Sequence, residues 1–122
     1  MEEKTASMQP EVLLSPCSGA SNLGQISNEV ALKMRDAGKG KMSCTAGIGG
    51  HVKPLVDAAR TAKNVLAIDG CSTGCVMKCF VAERIRPTAY LVLSDYMGIE
   101  KNSKRPSEDD VRKALEITIS KL

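Results

Sequence analysis

The sequence predicts a small doubly wound α/β domain on a mostly parallel four-stranded sheet. Three observations point to it. Short solid aliphatic runs alternate along the chain with stretches of helical period. The runs themselves do not alternate apolar with polar, which is the mark of strands buried on both faces. And 122 residues, 43% apolar and 25% charged, match one ordinary globular domain.

The elements follow in order. The first strand is Val12-Leu13-Leu14, ending at Pro16-Cys17. Leu23, Ile26, Val30 and Met34 then recur at helical spacing, with Ser21 or Asn22 as N-cap and Gly38 as stop. The second strand, Lys41-Met42-Ser43-Cys44-Thr45, is the weakest. After a glycine loop, Val52, Leu55, Val56, Ala59 and Ala62 form a second helical stripe; Pro54 is tolerated in its first turn. Asn64-Val65-Leu66-Ala67-Ile68 is the third strand and runs into Asp69-Gly70-Cys71. A third helix turns Val76, Phe80 and Ile85 inward and stops by Pro87. Ala89 to Leu93 is the fourth strand, followed by a polar loop from Gly98 to Pro106. Ser107 and Asp110 make a capping pair. Val111, Leu115, Thr118 and Leu122 give the last helix one apolar edge.

Alternating strands and helices imply right-handed crossovers. Strand order 2-1-3-4 would place two helices on each face, a Rossmann-like or flavodoxin-like arrangement. Residues 1–9 read as a flexible N-terminal tail and 10–122 as the single domain.

Composition excludes several functions. The net charge of +3 is too small to argue for nucleic acid. One Phe and two Tyr leave no base-stacking platform. The longest purely aliphatic run is Val65 to Ile68, so no membrane span is expected. Met-Glu-Glu-Lys-Thr at the start lacks the basic and apolar regions of a secretory signal, so a cytoplasmic location is expected. Five cysteines in a reducing compartment, an odd number, point away from a disulfide framework and toward metal binding or thiol chemistry.

The fold would gather those cysteines. In a parallel sheet every carboxyl end lies on one rim, and ligands bind there at the switch between oppositely wound strands. Cys17 ends the first strand, Cys44 the second, and Cys71 follows the third. Adjacent strands are about 4.8 Å apart, so Cys17 and Cys71 could converge on one ion, with Cys44 reaching in by its loop. Cys75 completes a C-x3-C pair with Cys71, a spacing used by zinc thiolates. Burial as an inert thiol is the ordinary fate of a single cysteine. Four at three strand ends argue for a site. Cys79, one turn beyond Cys75, is expected in the core beneath it or as an accessory member.

Three stretches carry a resemblance: Cys17-Ser18-Gly19-Ala20-Ser21-Asn22-Leu23-Gly24, Cys44-Thr45-Ala46-Gly47-Ile48-Gly49-Gly50 and Asp69-Gly70-Cys71-Ser72-Thr73-Gly74-Cys75. In order and spacing they resemble the DGC family, named for its Asp-Gly-Cys motif and described as zinc-binding. The resemblance runs from about Val12 to Leu122. It implies a metal site made by Cys17, Cys44, Cys71 and Cys75; Cys79 falls outside the shared pattern.

Four soft thiolates favour Zn²⁺, with an iron–sulfur cluster as the alternative. Because the domain has an aliphatic core of its own, such a metal is expected to be functional, in sensing, carriage or delivery. The competing reading is thiol, persulfide or sulfur-transfer chemistry with no permanent metal. Cys17 and Cys71 both precede a helix N-terminus, which lowers a thiol's pKa. A low-molecular-weight phosphatase is ruled out because Leu23 stands where the phosphate-binding arginine is required. Neither G-x-G-x-x-G nor a Walker lysine is present. His51, the one histidine, follows the Cys44 glycine loop and is an accessory candidate near the same rim. Asp69 is expected to brace the cysteine loop or cap the third helix through backbone N–H bonds. Lys101, Lys104 and Arg105 read as a solvated connector. No protein partner is indicated, and no catalytic residue is assigned.

Overall fold

The computed structural model describes residues 11–122, so the expected tail at 1–9 lies outside the described residues. Four strands form one all-parallel sheet: β1 (Val12–Pro16), β2 (Lys41–Met42), β3 (Asn64–Asp69) and β4 (Ala89–Val92), in the spatial order β2-β1-β3-β4. This is the expected α/β architecture with the expected strand order. Six helices accompany it among the described residues: α1 (Asn22–Asp36), α2 (Thr45–Gly49), α3 (Lys53–Thr61), α4 (Cys75–Ala82), α5 (Ser94–Met97) and α6 (Glu108–Ser120).

Side-chain alternation along β3 explains how one strand serves two cores. Leu66 and Ile68 face one way and pack with Leu14, Leu91 and the inner faces of α1 and α6. Val65 and Ala67 face the other way, onto Ile48, Val56, Val76 and Phe80 from α2, α3 and α4. A strand apolar on both faces needs a layer of helix on each. Phe80, at 0% exposure, is the largest fully buried side chain; its full burial contributes roughly 1.5–3 kcal/mol.

Two helix starts follow their sequence signals. Ser21, not Asn22, is the N-cap of α1, its Oγ accepting from Gly24 N–H at 3.1 Å. Ser107 caps α6 in the same way, accepting from Asp110 N–H at 3.0 Å.

Some boundaries differ from expectation. β2 stops at Met42, and Thr45, expected in the strand, instead opens α2. The glycine loop expected after the second strand instead forms α2, and the expected second helix is α3, the two separated at Gly50–Val52. The reason is local. Thr45 spends its hydroxyl on the end of β1, bonding Pro16 O at 2.9 Å and Ser15 Oγ at 2.7 Å, which turns the chain out of the sheet. Leu122, expected on the inner edge of the last helix, lies past its end and is exposed.

Candidate thiolate site at the carboxyl rim

All five cysteines are free thiols. Cys17 follows β1 directly, Cys44 is the residue before α2, Cys71 lies in the β3–α4 loop, and Cys75 is the first residue of α4. All four belong to the carboxyl side of a parallel sheet, where these strands end and the following helices begin.

Glycines make room for this rim. A Cβ on Gly70 would lie 2.5 Å from the Leu23 carbonyl group and 2.7 Å from Gly24 N. A Cβ on Gly24 would lie 2.8 Å from Gly19 N. The Asp-Gly-Cys loop and the Cys17 loop therefore meet backbone to backbone, a contact no side chain permits. Ser27 reinforces it, its hydroxyl donating to Cys17 O and Gly24 O.

Asp69 is the buried floor, 1% exposed. One carboxylate oxygen accepts from Val76 N–H at 2.8 Å, and the other accepts from Met77 N–H at 3.1 Å and from Tyr90 O–H at 2.6 Å. A carboxylate among the free N–H groups of a helix start satisfies those donors and the helix dipole together. The expected bracing role of Asp69 is what its contacts display. Burial and the Asp69 carboxylate push the Tyr90 phenol up, so Tyr90 stays a donor.

The thiols have unlike surroundings. Cys71 Sγ, half-buried, donates as a thiol to Thr73 Oγ1 at 3.4 Å and accepts from Lys101 Nζ at 3.2 Å. The Thr73 hydroxyl and backbone N–H hold the Cys71 thiol below its ordinary range; partial burial opposes them and Lys101 assists. Cys17 Sγ accepts from Gly19 N–H at 3.3 Å. Cys44 and Cys75 are exposed. Cys79 is turned toward the core, where a Cβ on Gly49 would come within 2.7 Å of its sulfur. Burial pushes the Cys79 thiol up, with Cys75, Asp69 and Cys17 adding to it.

His51 is placed elsewhere. It sits at φ +61° just past α2, and its Nδ1 pairs with Glu83 Oε2 at the C-terminal end of α4. Helix α4 runs back from the rim, so its C-terminal end faces away from the thiols. The five residues of α2 carry the chain off the rim before His51 is reached.

Sequence reasoning missed three contributors. Thr73 stands two residues after Cys71, where a local hydroxyl bond is a common turn device; that was the available signal. Lys101, expected in a solvated connector, instead meets Cys71. Asn22 explains how. Its side chain donates to Glu100 O at 3.0 Å and accepts from Asn102 N–H at 2.9 Å, and its N–H donates to Asn102 O at 2.8 Å. The clasp holds the backbone on both sides of Lys101. Nothing local in the sequence marks a contact between positions so far apart.

Among the described residues, no three His, Cys, Asp or Glu side chains stand close enough together to hold a metal ion. As placed, the expected four-cysteine set does not form a closed zinc cage.

The DGC domain model matches residues 13–117. The chain belongs to the DGC domain family. Among curated proteins it is similar to the anaerobic and virulence modulator AnvM of Pseudomonas aeruginosa strain PAO1, at 37% identity over 113 residues, 93% of this chain and 86% of the relative. No solved structure matches the chain. In this DGC domain the three family stretches are the three rim loops, and the name-giving Asp69-Gly70-Cys71 joins the buried brace, the backbone contact and a thiol held below its ordinary range.

Proposed function

We propose that the rim is a redox-responsive thiol centre led by Cys71, and that the chain acts as a small regulatory module. One observation carries this reading: Cys71 Sγ, partly open to solvent, lies between Lys101 Nζ at 3.2 Å and Thr73 Oγ1 at 3.4 Å. Donors around a thiol favour the thiolate, which is the reactive form. With hydrogen peroxide as oxidant, the Cys71 thiolate attacks one peroxide oxygen. The S–O bond forms as the O–O bond breaks, giving a sulfenic acid, and the hydroxide that leaves takes up the proton released when the Cys71 thiol ionised, giving water. The sulfur is oxidised by two electrons and the peroxide reduced by two. The name of AnvM, an anaerobic and virulence modulator, supports a regulatory role connected with oxygen supply.

Limiting iodoacetamide on protein purified anaerobically, followed by peptide mass mapping, tests the reading. Cys71 should be alkylated first at pH about 7, and by about tenfold over exposed Cys44. Equal labelling of Cys71 and Cys44 sinks the proposal.

A second reading is a zinc site of Cys17, Cys44, Cys71 and Cys75, or an iron–sulfur cluster on the same thiols. Four soft donors on one sheet rim support it, and it requires their side chains to close from the positions described. Elemental analysis of the same anaerobic sample decides. One zinc per chain, lost when the four cysteines are changed to serine, establishes it; a metal-free protein with five reactive thiols removes it.

A further inference from the structure

Away from the rim, at the far end of α4, lies a groove of about 400 Å³ lined by Met77, Val81, Arg84, Ile85, Arg86 and Pro87. Its floor is apolar. Val81, one of its walls, is 64% exposed in the last turn of α4. Arg84 and Arg86 are both exposed, and neither forms an ion pair among the described residues.

Arg84 is also held at a conformational cost. It follows the helix cap at φ +59°. Arg84 N–H donates to Val81 O at 3.0 Å and Ile85 N–H to Phe80 O at 2.9 Å, the hydrogen-bond pair of a helix end whose left-handed residue is usually glycine. The other non-glycine left-handed residue among the described residues, His51, uses its side chain to pair with Glu83. The Arg84 side chain has no such use within the described fold. Strain retained without an internal reward points outward.

We propose that this groove is a docking site for an acidic segment of a partner protein, whose apolar side chains lie over Val81 and Met77 and whose carboxylates meet Arg84 and Arg86. The charge of the rim of the groove selects the partner; the apolar floor supplies the contact area. An open apolar site of about 400 Å³ flanked by two cations is the size of a short peptide segment, not of a broad anionic lipid surface. The inference goes beyond the thiol reading and stands without it.

The test uses fluorescence anisotropy with a fluorescein-labelled amphipathic peptide of about 15 residues, glutamate on one face and leucine and phenylalanine on the other. The full chain should bind it with a Kd in the micromolar range, and a scrambled peptide of equal composition at least about tenfold more weakly. Arg84→Gly is the decisive variant. It relieves the backbone strain, so its Tm should be equal or higher, while affinity falls at least about fivefold. Val81→Ser should weaken binding in parallel at unchanged fold, read by circular dichroism. Absence of peptide binding overturns the proposal, as does equal affinity for the scrambled peptide or for Arg84→Gly. Tighter association with vesicles of phosphatidylcholine and phosphatidylglycerol than with the peptide, or dimerisation in sedimentation that Val81→Ser abolishes, would also replace it.

Discussion

Cys71 and Cys79 sit on one short stretch of chain, the loop entering α4 and the middle of that helix, yet their thiols are pushed in opposite directions. The Cys71 thiol donates to Thr73 Oγ1 and accepts from Lys101, and its thiolate is favoured by the Thr73 hydroxyl, the Thr73 backbone N–H and Lys101. Cys79 is pressed into the lower core against Gly49, with acidic neighbours and no donor to its sulfur among the described hydrogen bonds. The difference teaches that cysteine content is no guide to chemistry here. What decides is whether the fold supplies hydrogen-bond donors or apolar burial, and both regions are organised by the same two residues, Asp69 at the start of α4 and Gly70 against α1.

The contrast should break most completely at Gly70. A Cβ there meets backbone 2.5 Å away, which no rotamer change relieves. Gly70→Ala should lose about 3 kcal/mol of stability in urea unfolding, and the Cys71 and Cys79 alkylation rates should converge as the loop lifts from α1. A wild-type melting curve for this variant would show that the close approach is not needed.

Asp69→Asn comes next. It turns a carboxylate accepting three hydrogen bonds into an amide with two donor hydrogens facing donors. A loss of about 2 kcal/mol is expected, together with faster exchange of the Val76 and Met77 amide hydrogens. Unchanged protection at those amides would contradict the bracing role.

Smaller effects sharpen the comparison without unfolding either region. Thr73→Val should slow Cys71 alkylation at pH about 7 by about fivefold, and Lys101→Met by about twofold to threefold. The sign follows from the lowered thiol: the wild-type rate reaches half its plateau below the ordinary thiol range near pH 8.5, and losing a donor moves that midpoint up. The Lys101 effect should fade in about 1 M salt, where exposed charges are screened. Asn22→Ala should reproduce it and add nothing in the double variant with Lys101→Met. Additive effects would separate the clasp from the lysine.

The smallest effect concerns Cys79. Its folded pKa is raised, so the unfolded chain releases that proton first as pH climbs, and stability falls above pH about 8.5. Cys79→Ala should flatten the slope above pH about 8.5, at a cost of about 1 kcal/mol for the lost sulfur contacts. An unchanged slope would mean the Cys79 thiol is not kept protonated by burial.

The sheet was legible because its information is local and repeated. Val12 to Leu14 and Asn64 to Ile68 are solid aliphatic runs, and short runs between helical stripes have few solutions under right-handed connection. Lys41 to Thr45 was partly legible: Met42 pairs with Leu14 as a strand residue must, whereas Thr45 has strand propensity that its bonds to Ser15 and Pro16 override. The cysteines' place on one rim was legible for the same reason, since a parallel topology assigns every strand end to one side.

Their individual characters were not. Cys71 and Cys79 are the same residue in adjacent turns of sequence, and only packing decides that one meets Lys101 and the other Gly49. Lys101 reaches Cys71 because Asn22, at the start of a helix far earlier in the chain, grips the backbone of Glu100 and Asn102. His51 belongs to Glu83 and not to the thiols because five helical residues lead it away from the rim. Hydrophobic period and turn chemistry, summed over short windows, determined the topology and the edge on which chemistry must lie. Only the folded chain determined the character of each thiol on that edge: Thr73 closes locally on Cys71 and Lys101 adds to it from far along the sequence, and hydrogen-bond energy depends on a few tenths of an ångström that no local pattern encodes.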